Sequence, residues 1–188
     1  FEGDLPIGDL EKVFKQVNLA NLHYVIATNN SSRSREYCVE LFKQHGVNIR
    51  IDQVVNSVSV TDAYLNKNFM KNAVLYVVGS QVLKDELACS GYTIIDDFSQ
   101  TADAVIVGID KNFNYEKLKL ASLHIQQGAA FIATNDDRTV KGPEGLLPAC
   151  GSIVSAIETA SSVTATVMGK PHAPMFEMAI ERLGVLPS

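Results

Sequence analysis

Four clusters in this chain lie at the ends of apolar runs, and hydroxyl, amide and ammonium side chains among them suit the handling of an anion. Thr28-Asn29-Asn30-Ser31-Ser32 comes after the run Tyr24–Ala27 and before a helical pattern. Its hydroxyl and amide groups can donate to a phosphate oxygen, as can the free N–H groups of a helix's first turn. The same residues also read as an ordinary helix cap with Ser31 or Ser32 as the capping hydroxyl. Gly169-Lys170-Pro171 follows the run 165–168 and opens the last helix. A lysine there can balance charge on a phosphoryl group, or it can be a solvated turn residue. Ala133-Thr134-Asn135-Asp136-Asp137 repeats the strand, Thr-Asn, loop theme. The loop that follows, 138–150, carries Gly142, Pro143, Gly145 and Pro148, and reads as a substrate entrance or as a plain connection. Val107-Gly108-Ile109-Asp110 ends a run on a carboxylate, open to a binding role or to solvent.

Other chemistries find little support. No G-x-G-x-x-G, P-loop or G-x-S-x-G pattern is present. His23, His45, His124 and His172 are isolated and read as satisfied or solvated histidines. Cys38, Cys89 and Cys150 are odd in number and widely spaced, with no C-x-x-C pair. That argues against a disulfide framework or a zinc cluster and points to a reducing cytoplasm. Cys150 has no evident base beside it and reads as a small buried residue. The net charge of −5 is spread along the chain, which argues against nucleic acid or an anionic membrane as partner. No apolar run reaches the roughly 20 residues of a membrane span.

The elements that must position these clusters alternate along the sequence. Runs 24–27, 74–78, 104–107, 130–133 and 165–168 are short, apolar and rich in β-branched residues, as buried parallel strands are. Helical patterns over 33–45, 81–90 and 115–127 stop at Gly46, Gly91 and Gly128. Two more follow, 152–160 after Gly151, and 172–183 between Pro171 and Gly184. Hydrophobic residues at 46% and charged residues at 20% allow a packed core, and 188 residues suffice for one large domain or two small ones. The alternation predicts an α/β protein with right-handed crossovers and ligands beyond the carboxyl ends of the strands. Thr28 and Lys170 are expected at the rim of one parallel sheet.

In order, the clusters also match a known pattern. Val25–Arg35 (VIATNNSSRSR) resembles the second motif of the NagD-like, or p-nitrophenylphosphatase, haloacid-dehalogenase phosphatases. Val55-Asn56-Ser57, Val78-Gly79, Val107–Asp110, Phe113–Leu118 and Ala133-Thr134-Asn135 match further family segments in the same order. Gly151–Val154, Ile157-Glu158 and Gly169-Lys170-Pro171 complete a resemblance that covers essentially the whole chain.

The resemblance implies a Rossmann-type parallel-sheet core, incomplete in this chain, with an inserted α/β cap. Residues 1–60 and 164–188 would form the core and 61–163 the cap. It implies hydrolysis of small phosphate monoesters, with p-nitrophenyl phosphate as an artificial substrate, through an aspartyl-phosphate intermediate and with Mg2+. Thr28, Asn29 and Lys170 would be catalytic. Asn30, Asp110, Asn135 and Asp137 would face the substrate. A small phosphorylated metabolite is the implied partner, and a homodimer through the cap is compatible with it. Two family motifs are missing: the Asp-x-Asp-Gly nucleophile motif and a later Gly-Asp motif. Glu2 and Asp4 lack the spacing to replace the first. The nucleophile and most magnesium ligands are therefore expected outside these residues, and no metal ligand is assigned within them. The chain starts at Phe1 rather than Met. The expectation is a part of a longer enzyme, and the rival is a catalytically inactive homologue with a binding or structural role.

Overall fold

Strands covered by helices on both faces must be apolar throughout, and their side chains then alternate between two packing layers. The structure, a computed structural model describing Phe1 and residues 3–185, shows this arrangement. Glu2 and the last three positions of the expected 164–188 segment lie outside the described residues. A five-stranded, all-parallel sheet has the order β4-β3-β5-β6-β9. Its strands are β3 (Val74–Val78), β4 (Thr93–Ile95), β5 (Ala104–Val107), β6 (Ala130–Ala133) and β9 (Thr166–Val167). One face presents Leu75, Val77, Ala104, Ile106 and Ile132. Leu65 of α3 (Ser57–Asn68), Leu83 and Leu87 of α4 (Gln81–Cys89) and Met175 of α7 (Ala173–Leu183) cover it. The other face presents Tyr76, Val78, Val105, Val107, Phe131 and Ala133. Ala121 and Ile125 of α5 (Tyr115–Gln126) and Ile153, Val154 and Ile157 of α6 (Cys150–Ser161) cover that one.

A second, two-stranded parallel sheet pairs β1 (Ile26–Thr28) with β2 (Val54–Asn56). Phe42 of α2 (Arg35–Gln44) packs beneath it with Val47, Ile49 and Val54. Leu10 and Phe14 of α1 (Leu10–Leu19) lie against that cluster. Val55, Val58 and Val60 belong to the core of the larger sheet, and α7 packs on both β2 and α3. Helices α3 and α7 therefore join the two sheets. The expected division at 60/61 falls inside α3, and the one at 163/164 falls between α6 and β9.

All five apolar runs form strands, and the five predicted helices are present within two residues of their expected bounds. Three features differ. β2 and β4 are three-residue strands with no expectation attached, and α1 and α3 are further helices. The loop 138–150 contains an antiparallel hairpin, β7 (Thr139–Gly142) and β8 (Gly145–Pro148). Thr28 and Lys170 leave strands of different sheets, not one, because β9 pairs with β6 and β1 pairs only with β2. Among the described residues no helix is long and apolar enough to cross a membrane.

Candidate active site

The carboxyl ends of β1, β6 and β9 converge, and Asn29 stands where they meet. Its side chain reaches 141 positions along the chain: Oδ1 accepts the Lys170 backbone N–H at 2.7 Å, and Nδ2 donates to the Lys170 carbonyl at 3.0 Å. Nδ2 also donates to Asp137 Oδ2 at 3.0 Å. The carbonyl of Asn29 accepts from Asn135 Nδ2 and from Ser57 Oγ, each at 2.9 Å. Two acceptors and two donors on one residue thus tie together the ends of β1, β2, β6 and β9.

This packing leaves no room for a side chain at residue 169. A Cβ on Gly169 would stand 2.7 Å from Asn29 Oδ1 and 2.8 Å from both Asn135 Cβ and the Thr134 carbonyl. Glycine is what allows the lysine loop to approach so closely. The Lys170 ammonium then folds back and donates to the Ala27 carbonyl at 2.8 Å, next to Thr28. Thr28 Oγ1 accepts the Asn30 N–H at 3.2 Å, a bond that does not use its hydroxyl hydrogen. A hydroxyl donor and an ammonium donor therefore flank the end of β1, an arrangement suited to an anionic group.

The remaining candidates are placed differently. Asn30 is exposed, and its Oδ1 accepts from the Ser32 N–H and hydroxyl in a local turn. Asn135 is buried and structural in contact, since its Oδ1 accepts the Asp137 N–H. Asp110 is occupied by partners of its own. Its two oxygens take Lys117 Nζ at 2.6 Å and the Asn112 N–H at 2.8 Å, and its side chain is only 5% exposed. Ser31 is not a helix cap, because Ser34 caps α2 by accepting the Tyr37 N–H. Ser31 is buried instead, accepting the Ile109 N–H at its hydroxyl and a bond from Ser80 Oγ at its carbonyl. Cys150 lies behind Thr134, 3.7 Å from its hydroxyl, and burial pushes its thiol up to about 11. It stays protonated at neutral pH and is not poised as a nucleophile.

Sequence reading missed two contributors. Ser57 was legible only as part of the Val55-Asn56-Ser57 match. His172 carried no signal beyond its place two residues after Lys170, yet its Nε2 lies 3.0 Å from Asp136 Oδ2. The converging groups are amides, hydroxyls and one ammonium, with Asp137 as the carboxylate nearest them. Magnesium prefers several hard oxygen anions at octahedral geometry. Among the described residues no three His, Cys, Asp or Glu side chains cluster to hold a metal. This donor set fits a phosphoryl group and not a metal ion.

A family model described as haloacid dehalogenase-like hydrolase matches residues 1–93. A thermostable NPPase double mutant from Geobacillus stearothermophilus has a TM-score of 0.87 and 31% identity, over 96% of this chain and 71% of that one. The chain belongs to the haloacid dehalogenase-like hydrolases. Within them it is a phosphatase of the NagD-like kind. The acid sugar phosphatase of Staphylococcus epidermidis is 28% identical over 185 residues, 98% of this chain and 70% of the relative. A glycerol phosphate phosphatase of Mycobacterium tuberculosis, solved in complex with magnesium, has a TM-score of 0.86 and 30% identity, over 95% of this chain and 54% of that one.

Proposed function

We propose that this haloacid dehalogenase-like hydrolase cleaves small phosphate monoesters, p-nitrophenyl phosphate serving as an artificial substrate. Thr28 and Lys170 hold the phosphoryl group. Asn29 holds Lys170, and Asn135 and Asp137 hold Asn29. The observation that carries this reading is the clasp of the Asn29 side chain on both backbone groups of Lys170, with the lysine ammonium beside Thr28. A phosphate dianion arriving at the end of β1 offers that ammonium a full charge in place of a neutral carbonyl. Charge-assisted bonds are about twice as strong as neutral ones, so the lysine moves from Ala27 to the substrate. As the phosphoryl group transfers, charge spreads over its equatorial oxygens, where fixed donors stabilise it.

The five-stranded sheet is read as the body of the cap, residues 61–163, with β9 completing its edge. The hairpin β7–β8 follows Asp137 closely in the chain. Asp110, paired with Lys117, presents no free carboxylate to a substrate. The acid sugar and glycerol phosphate relatives support small polar metabolites as substrates. The aspartyl-phosphate intermediate follows from the family resemblance, and its carboxylate nucleophile is not among the residues described above. Magnesium dependence follows from the same resemblance.

In the intact protein, Lys170→Ala is expected to lower kcat/KM for p-nitrophenyl phosphate by about 10²–10³-fold, the usual cost of losing one fixed donor to a developing anion. Near-normal kcat/KM in that variant would remove Lys170, and the clasp that holds it, from the chemistry.

A further inference from the structure

The loop that carries Lys170 is fastened at a second point. His172 ends this loop at the N-terminus of α7, and its N–H donates to the Gly169 carbonyl at 2.9 Å. Its ring Nε2 meets Asp136 Oδ2 at 3.0 Å. Asp136 lies between Asn135 and Asp137, the two residues that bond Asn29. The contacts close into a ring that runs from Asn29 to Lys170, along the chain to His172, across to Asp136, on to Asp137 and back to Asn29. Without the imidazole–carboxylate contact the lysine loop would be gripped by side chains only at Lys170.

Both members of the pair are close to half exposed, 41% and 43%. Exposed ion pairs add little to global stability. What such a contact can supply is placement. When substrate draws the ammonium off the Ala27 carbonyl, the loop loses one of its attachments, and the position of Nζ then depends on those that remain.

Building on the phosphatase reading of Lys170, we infer that His172 is a positioning residue: anchored on Asp136, it fixes the loop that aims the Lys170 ammonium at the phosphoryl group. Its action is through Lys170 and not on the substrate. A misplaced lysine weakens transition-state stabilisation more than substrate binding, so kcat carries the effect.

The test uses the intact protein and p-nitrophenyl phosphate. His172→Ala is expected to lower kcat about tenfold to a hundredfold, with KM changed by no more than about twofold and little change in thermal midpoint. His172→Gln, which keeps an N–H donor for Asp136, should recover most of the loss. Asp136→Ala should reproduce the His172→Ala defect from the other side of the contact. Wild-type kcat in His172→Ala and Asp136→Ala, while Lys170→Ala is inactive, overturns this inference alone. Wild-type turnover in Lys170→Ala overturns the role of Lys170 on which it rests. A defect in His172→Ala that the glutamine does not relieve, or that tracks a large fall in thermal midpoint, assigns His172 to folding and also overturns the inference.

Discussion

A primary amide carries two donor hydrogens and a carbonyl acceptor, and Asn29 uses all three on partners more than 100 positions away. The orientation of the amide is fixed by these partners, since Lys170 offers an N–H to one end and a carbonyl to the other. Replacing it with aspartate keeps the shape and reverses the chemistry. Two donors become lone pairs that face the Lys170 carbonyl and the Asp137 carboxylate. Asn29→Asp is therefore expected to destabilise the protein by about 1–3 kcal/mol, the cost of leaving partly buried polar groups unmatched. Urea unfolding measures this directly. The same variant should lose activity toward p-nitrophenyl phosphate, because the lysine loop is no longer clasped. Unchanged stability would show that the three bonds are exchanged for water without loss.

At the scale of elements, Glu86 on α4 is a carboxylate that burial disfavours in its charged form. Burial raises its pKa above the usual glutamate range, helped by the charges of Glu36 and Asp62, while Arg35 opposes. The folded state thus holds this proton more tightly than the unfolded chain does. The stability that results is complete below the unfolded pKa and is lost as pH rises through the folded one. Glu86→Gln is expected to raise the thermal midpoint near pH 7, with the gain vanishing toward about pH 4. A variant equal to the parent at both values would place Glu86 in solvent. Among the strands that sequence reading located, Leu75–Val78 and Ala104–Val107 are apolar runs buried throughout. Several missed elements are exposed or very short. Helix α1 buries no residue fully, and all four residues of β8 are exposed. In β2 three residues are too few to show a period. The candidate site was legible in part for a related reason. Thr28, Asn29, Asn135 and Lys170 follow apolar runs, which places them at strand ends. Asp110 also follows one, yet its pairing with Lys117 depends on a helix seven residues on. The contact of His172 with Asp136 spans 36 positions between two loops, and no local pattern encodes it.

For the whole molecule, the division into two sheets is a division of backbone hydrogen bonding. No ladder joins β1 to β9, and helices α3 and α7 supply the apolar contact between the layers. The Asn29 side chain stands in for the missing rung. Its consequence is that neighbouring amide protons on one short stretch belong to different structural units. The Met168 N–H is bound to the Ala133 carbonyl inside the large sheet, whereas the Lys170 N–H is bound across the divide to a side chain. Solvent deuterium should therefore replace the Lys170 proton whenever the layers part, and the Met168 proton only when the large sheet itself opens. Nuclear magnetic resonance exchange rates should differ between the two in that direction, and inorganic phosphate should slow the Lys170 rate selectively. Equal rates for both would mean that the two layers separate only by unfolding together.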